Sequence, residues 1–156
     1  MKYFEDVVPA FEITNIYIPH WSLTLDDSDA PERIQERDRL IAVNANAYLL
    51  LMIGQLEVEI NRLAADLIKQ MKEQAEWKDR RVWDDLEHRP EKIRQIGIMR
   101  KVALLTDKSG AVYKRIKALY ETRNDIAHGD LLTEIPDVAE TAKDIERIVA
   151  ELNEAS

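Results

Sequence analysis

From Pro31 to about Glu76 the sequence keeps one helical pattern, broken at most once, and its centre, AYLLLMIGQLEVEI, is apolar on nearly every side. A helix apolar all round is one packed against neighbours all round, so this segment is expected to form the central helix of the domain. Composition agrees with a helical chain. Four Gly and five Pro in 156 residues make about 6%, where average usage gives roughly 12%. That is too few turn residues for a many-stranded sandwich, and 46% hydrophobic content is too apolar for a disordered or collagen-like chain. The length fits one domain with one core.

Two segments flank this centre on the N-terminal side. In residues 1–23, Phe11, Ile13, Ile16, Tyr17 and Ile18 sit among Pro9, Pro19 and Trp21. Apolar and β-branched residues between prolines predict an extended arm with at most one short strand, lying across the bundle or a neighbouring subunit. Residues 24–30, TLDDSDA, read as an acidic loop, with Asp29 as N-cap and Pro31 and Glu32 in the first helical turn. The expected division is therefore arm and loop over 1–30 and helical domain over 31–156.

C-terminal to the centre, WKDRRVWDDLEHRP is a polar stretch ended by Pro90. A helix from about Glu91 to Leu105 carries Ile93, Ile96, Met99, Val102 and Ala103. Residues 106–110 form a turn, with Ser109 a candidate cap. A helix over Ala111–Ala127 follows, and Val112, Ile116, Leu119, Tyr120, Arg123 and Ala127 share one face. Gly129 is placed to end it in the left-handed conformation. The last helix runs from near Pro136 to Leu152, with Val138, Ala142, Ile145, Val149 and Leu152 as a heptad-like seam. The fold class is all-α: a bundle of four main helices plus shorter ones, with the N-terminal arm.

The absence of cysteine excludes disulfide frameworks, cysteine-ligated zinc fingers and thiol catalysis. The start, MKYFEDVVPAFE, has acids where a secretory leader needs a basic head. The longest apolar run, Ala47 to Ile53, falls short of the roughly 20 residues that span a bilayer. A cytoplasmic protein without membrane contact is expected. The net charge of −8 is unevenly spread. Between Lys78 and Arg123 there are 13 Lys and Arg against 7 Asp and Glu, while the rest carries 9 against 23. Ordinary solvated helix faces account for that as well as a basic segment that attracts a polyanion does.

The segment with most chemical content is Glu121-Thr122-Arg123-Asn124-Asp125-Ile126-Ala127-His128-Gly129. Arg123 falls on the apolar face, where a permanent charge is costly unless paired or bound to an anion. His128 is five positions on, about 140° around an ideal helix, so the two converge only if the helix loosens before Gly129. An arginine that holds phosphate beside an imidazole that moves a proton suits phosphodiester chemistry.

RNDIAHG resembles the Arg-x4–6-His motif of HEPN domains, all-α dimerising domains found in prokaryotic toxins, antiviral effectors and RNA-processing factors. In catalytic members a polar residue, commonly Asn, follows the Arg, and Asn124 matches. The long apolar helix is similar to the central helix of the ribonuclease-L-type HEPN class. The resemblance covers roughly residues 32–150 in helix order, with about six positions of specific identity. It implies a metal-independent, cofactor-free endoribonuclease acting as a homodimer on RNA and leaving 2′,3′-cyclic phosphate ends. Arg123 and His128 are then catalytic and Asn124 binds substrate or holds His128. A toxin or antiviral role, with an antitoxin or regulatory protein as partner, is also implied. In one subgroup a Tyr two residues after the His is modified by a nucleotidyltransferase; here that position is Asp130, which puts that control in doubt.

Spacing alone does not single out this segment, because 12 Arg and 3 His give roughly 0.7 chance matches. Arg81 and His88 are a second match, but Val82 follows the Arg, and His88 runs into Arg89-Pro90. Three other readings apply. His128 can interact with helix-end carbonyls, and Arg123 can pair with Glu57 or Glu59, in a purely structural role. Asp85-x-x-His88 and Asp125-x-x-His128 have the spacing of di-metal carboxylate bundles, which normally use Glu. A non-catalytic HEPN module that binds a protein partner fits the acidic charge and the arm. His20 reads as a surface or arm residue, and the three Trp read as packing or dimer contacts.

Overall fold

The computed structural model describes residues 1, 4–23, 31–74, 76–86, 88–129 and 137–155. They form seven helices and no strand: α1 (Phe4–Leu23), α2 (Pro31–Gln74), α3 (Trp77–Asp84), α4 (Pro90–Ile93), α5 (Ile98–Leu105), α6 (Ala111–Ala127) and α7 (Val138–Ala155). The chain is all-α, as its patterning requires. The expected acidic loop, the Asp29 cap, Asp130 and Pro136 lie outside the described residues, as does the side chain of His20.

The N-terminal expectation is corrected: the segment read as an extended arm is α1, a helix of 20 residues. Phe4 is buried, and Val7, Val8, Phe11, Thr14, Asn15 and Ile18 are half-buried, a three-and-four spacing that places them on one side. Pro9 and Pro19 fall inside the helix although each removes a main-chain donor, at a cost of about 3 kcal/mol in a helix interior. Tertiary packing offsets that cost. Phe11 meets Tyr48 of α2 edge to face with ring centroids 5.5 Å apart, and Asn44 Nδ2 donates to Thr14 Oγ1 at 3.1 Å. Since Phe11 faces Tyr48 and Thr14 faces Asn44, the two helices run antiparallel.

The described chain divides into two compact units, one of residues 1–55 and 120–145, the other of 56–119 and 146–156. The first contains α1, the N-terminal part of α2, the end of α6 and the start of α7. Its buried side chains include Phe4, Leu49, Met52, Ile53, Ile126, Val138 and Ile145. Asn46 is also buried, at 2% exposure. Its Nδ2 donates to the Ala42 carbonyl at 2.8 Å, and its Oδ1 has no partner among the described residues. An 18-residue window of α2 reaches a mean hydropathy of 1.3 and is 33% buried, so by length and composition this helix could cross a membrane. A buried core helix passes the same test. The uninterrupted run Ala47–Ile53 understates how apolar α2 is.

The second unit buries Leu56, Ile60, Ile68, Val102, Ile116, Ile148 and Leu152 among others. Here one expected helix is two. The span from Glu91 to Leu105 breaks into α4 and α5 because Gly97, with φ −57° and ψ 141°, turns the chain. Lys101 then bridges the break. Lys101 is 3% exposed, and its ammonium donates to the Ile93 carbonyl at the end of α4 at 3.2 Å and to Asn61 Oδ1. Desolvation lowers the Lys101 pKa below the ordinary lysine value, against the opposing charge of Glu57. Glu59 hydrogen-bonds Arg62 through one carboxylate oxygen at 2.6 and 3.0 Å, which holds its pKa down despite burial. Arg62 also reaches Asp66 and Asn153.

Local chemistry sets the ends of α6 and α7. The turn before α6 is built on Asp107 rather than on Ser109, whose N–H donates to Asp107 Oδ1 at 2.8 Å. Asp107 Oδ1 thereby fixes the turn, and the Gly110 carbonyl accepts the first bond of α6, from Lys114. Asp137 caps α7: its carboxylate accepts from Glu140 N–H at 3.0 Å, the usual side-chain cap geometry. In α7 the buried seam is Val138, Ala142, Ile145, Ile148 and Leu152, with Ile148 in place of the expected Val149. That seam is spent inside the protein's own chain.

Candidate functional site

Helix α6 carries two of the three sequence-predicted site residues, and the turn that ends it carries the third. Ile116 is buried, Leu119, Tyr120 and Arg123 are half-buried, and Ile126 takes the buried place in the last turn where Ala127 was expected. The spacing 116, 119, 120, 123, 126 still follows one face. Arg123 therefore occupies a position that apolar residues take above and below it.

The arginine does not stand alone there. Its Nη1 donates to Asn124 Oδ1 at 3.3 Å. Neighbours i and i+1 on a helix point about 100° apart, and this bond spans that separation. Asn124 also reaches towards the histidine, through its main chain. The Asn124 carbonyl accepts the His128 N–H at 2.9 Å, and the Asp125 carbonyl shares that donor at 3.2 Å. One asparagine thus contacts the guanidinium with its side chain and the backbone of His128 with its carbonyl.

His128 follows the last helical residue, Ala127, and its side chain is exposed. The imidazole makes no hydrogen bond among the described residues. The helix does not loosen before Gly129; it tightens. Gly129 N–H donates to the Ile126 carbonyl at 3.1 Å, an i to i−3 bond of the 3₁₀ kind. Gly129 has φ +97°, the positive value expected from its place after the helix and one that side-chain-bearing residues avoid. The structure brings Arg123 and Asn124 together by a side-chain bond, and connects His128 to them through the main chain only.

The second Arg/His match separates. Arg81 is exposed on α3, and that helix ends at Asp84. His88 lies beyond it, half-buried, with Nδ1 buried and without a hydrogen-bond partner. For the same reason Asp85 and His88 are not one turn apart on a helix, since Asp85 is the C-cap of α3. Among the described residues no three His, Asp or Glu side chains gather to hold a metal ion.

The sequence reads α3 as a polar stretch and its tryptophans as packing or dimer contacts. In the folded chain Trp77 is 63% exposed and Val82 67% exposed, and no residue of α3 is buried. The available signal was the four-residue spacing of Trp77 and Arg81. Comparison with protein-family models, curated proteins and solved structures finds no match to this chain.

Proposed function

We propose that this chain is a HEPN-type endoribonuclease, cytoplasmic and homodimeric, that cleaves RNA without a metal or other cofactor and leaves 2′,3′-cyclic phosphate ends. The observation that carries this reading is the Arg123–Asn124–His128 constellation at a glycine-stopped helix end. An exposed imidazole can reach a substrate proton. A guanidinium oriented by a neighbouring carboxamide can hold a phosphate in a fixed direction.

The chemistry follows from those groups. His128 takes the proton of an RNA 2′-hydroxyl, and the freed oxygen bonds to the adjacent phosphorus. Arg123 stabilises the added negative charge on the phosphorane oxygens, the kind of preorganised donor that lowers a barrier most. The bond to the 5′-oxygen then breaks, and that oxygen leaves with a proton from the second protomer's imidazole. Asn124 keeps the guanidinium in register.

A homodimer is supported by the face of α2 that its own unit leaves uncovered. Leu40, Val43, Ala47 and Leu51, at steps of three and four, are all exposed. A toxin or antiviral role, restrained by an antitoxin or regulatory protein, goes with the family reading. The competing reading is a non-catalytic HEPN module that binds a protein partner. The net charge of −8 and that same apolar stripe favour it.

The deciding experiment is RNA cleavage in the presence of EDTA by wild type and His128→Ala, with analysis of the product ends. Cyclic phosphate from wild type alone supports the ribonuclease. No cleavage of structured or unstructured RNA by wild type supports the binding module.

A further inference from the structure

Helix α3 is built with two unlike sides. One side is anchored within the second unit: Trp83 is half-buried, Leu86 just beyond the helix is buried, and Lys72 of α2 donates to the Asp84 carbonyl at 3.3 Å. Arg80 and Asp84 pair on that helix at 3.7 Å. The other side faces water and carries Trp77, Arg81, Lys78 and Val82. Each is three or four positions from the next in that order, so they form one continuous patch. All four are exposed, and among the described residues neither Lys78 nor Arg81 makes a hydrogen bond or ion pair.

An exposed Trp is costly, since its ring is among the largest apolar surfaces a side chain can bury. Here it is flanked by two cations without a partner among the described residues, so a simple apolar docking surface does not fit. The ligand that matches a ring with cations on either side has a π-face and a regular negative charge. Single-stranded nucleic acid has both: bases stack on aromatic side chains, and phosphates attract Lys and Arg.

We propose that Trp77, Lys78, Arg81 and Val82 on the outer face of α3 form a docking surface for single-stranded RNA. Trp77 stacks on a base, Val82 extends the apolar contact, and Lys78 and Arg81 hold the flanking phosphates. The choice of RNA over other single strands rests on the ribonuclease reading. The stacking and charge argument does not. The span from Lys78 to Arg123 carries 13 Lys and Arg against 7 Asp and Glu, and although Glu76, Asp79, Asp84 and Asp85 lie on or beside α3, Lys78 and Arg81 are the cations next to Trp77.

The test uses the full chain and a 2′-O-methyl oligouridine of about a dozen nucleotides, which can bind but cannot be cut by its own 2′-oxygen. Binding is followed by fluorescence anisotropy over a range of salt. Trp77→Ala is expected to weaken affinity roughly 5- to 150-fold, the range that loss of one base stack produces. Trp77→Phe recovers part of the loss. Lys78→Gln with Arg81→Gln reduces the salt slope by about 1.4, two single-strand phosphate contacts. All four positions are exposed, and unchanged thermal melting confirms that the variants fold.

Wild-type affinity and slope in these variants overturn the proposal, as does failure of the wild type to bind the oligonucleotide. Variants that change the oligomeric state yet bind RNA normally also overturn it, and assign α3 to a protein contact. Cleavage of unmodified RNA is assayed separately. Cleavage with no effect of Trp77→Ala on binding or KM removes the docking surface and leaves the ribonuclease standing. Trp77-dependent binding without cleavage by wild type leaves the docking surface standing and removes the ribonuclease.

Discussion

Arg123 Nη1 donates to Asn124 Oδ1 at 3.3 Å, so two adjacent residues that a helix would splay apart act on one another. The same asparagine accepts the His128 N–H through its carbonyl. Asn124 thus bonds the guanidinium through its side chain and the main chain of His128, not its imidazole, through its carbonyl.

That link sets the first prediction. Under the proposed ribonuclease function, His128→Ala is expected to lower RNA cleavage about 10²- to 10⁴-fold, the usual contribution of a positioned general acid or base. Arg123→Ala costs about 10²- to 10³-fold in kcat through loss of charge stabilisation. Asn124→Ala leaves both groups present and gives a smaller loss, because it frees the guanidinium without removing it. Single-turnover cleavage by the three folded variants, compared with wild type, checks the order.

Gly129→Ala is expected to destabilise the protein by about 1 kcal/mol. The cause is the backbone: a Cβ is disfavoured at φ +97°, while nothing crowds the position in space. Denaturant unfolding measures the loss. Cleavage falls with it, since the turn that places His128 is the one that frays. Gly110→Ala has a different cause, because its Cβ would lie 3.0 Å from the Asp107 carbonyl oxygen.

Asp137→Ala removes the carboxylate that accepts Glu140 N–H at the start of α7, and costs about 1 kcal/mol. Asp137→Asn retains an oxygen at the same place and recovers most of it. Thermal melting of the two variants separates a lost cap from a lost charge.

Lys101 makes stability depend on pH at the alkaline end. Burial lowers its pKa in the folded state, so between that value and the ordinary 10.5 the unfolded chain binds more protons than the folded one. Stability contributed by this group therefore rises with pH through that window and is lowest where the folded lysine is fully charged. Lys101→Met abolishes that rise. It also costs about 1–3 kcal/mol at neutral pH, because Asn61 and the Ile93 carbonyl lose their donor. Urea unfolding at neutral and alkaline pH tests both parts.

For the proposed homodimer, Leu51→Glu places a charge in the exposed stripe of α2 and is expected to yield monomer without loss of fold. Sedimentation velocity at several concentrations reports the change. A dimer that survives the substitution has its contact elsewhere, and a monomeric wild type removes the proposed homodimer.

Much of this architecture was legible as sequence. The limits of α6 coincide with the expected Ala111–Ala127, and Gly129 has the positive φ that its place after a helix demands. The apolar centre of α2 is packed on one side but not all round as expected: Leu49, Met52, Ile53, Leu56 and Ile60 are buried, while Ala47, Leu51 and Val58 are exposed. In the site, the half-buried place of Arg123 follows from three-and-four spacing alone. Its bond to Asn124 was not legible, since helical geometry argues against contact between neighbours.

Local spacing and turn chemistry by themselves determined that the chain is helical and where its long C-terminal helices start and stop, because those properties depend on residues within a turn or two. Tertiary structure decided the rest. Pro9 and Pro19 argue locally against α1, and it is packing of Phe4 and Phe11, with Tyr48 and Asn44 waiting on α2, that makes it a helix. Gly97 permits a break, and the buried Lys101 ammonium on the Ile93 carbonyl stabilises it. Trp77 reads as packing or as a dimer contact, and the fold excludes only burial within the chain by leaving it 63% exposed. In each case the deciding free energy comes from burial or a hydrogen bond between residues distant along the chain, and such terms outweigh local preferences of a few kcal/mol only once the partner is in place.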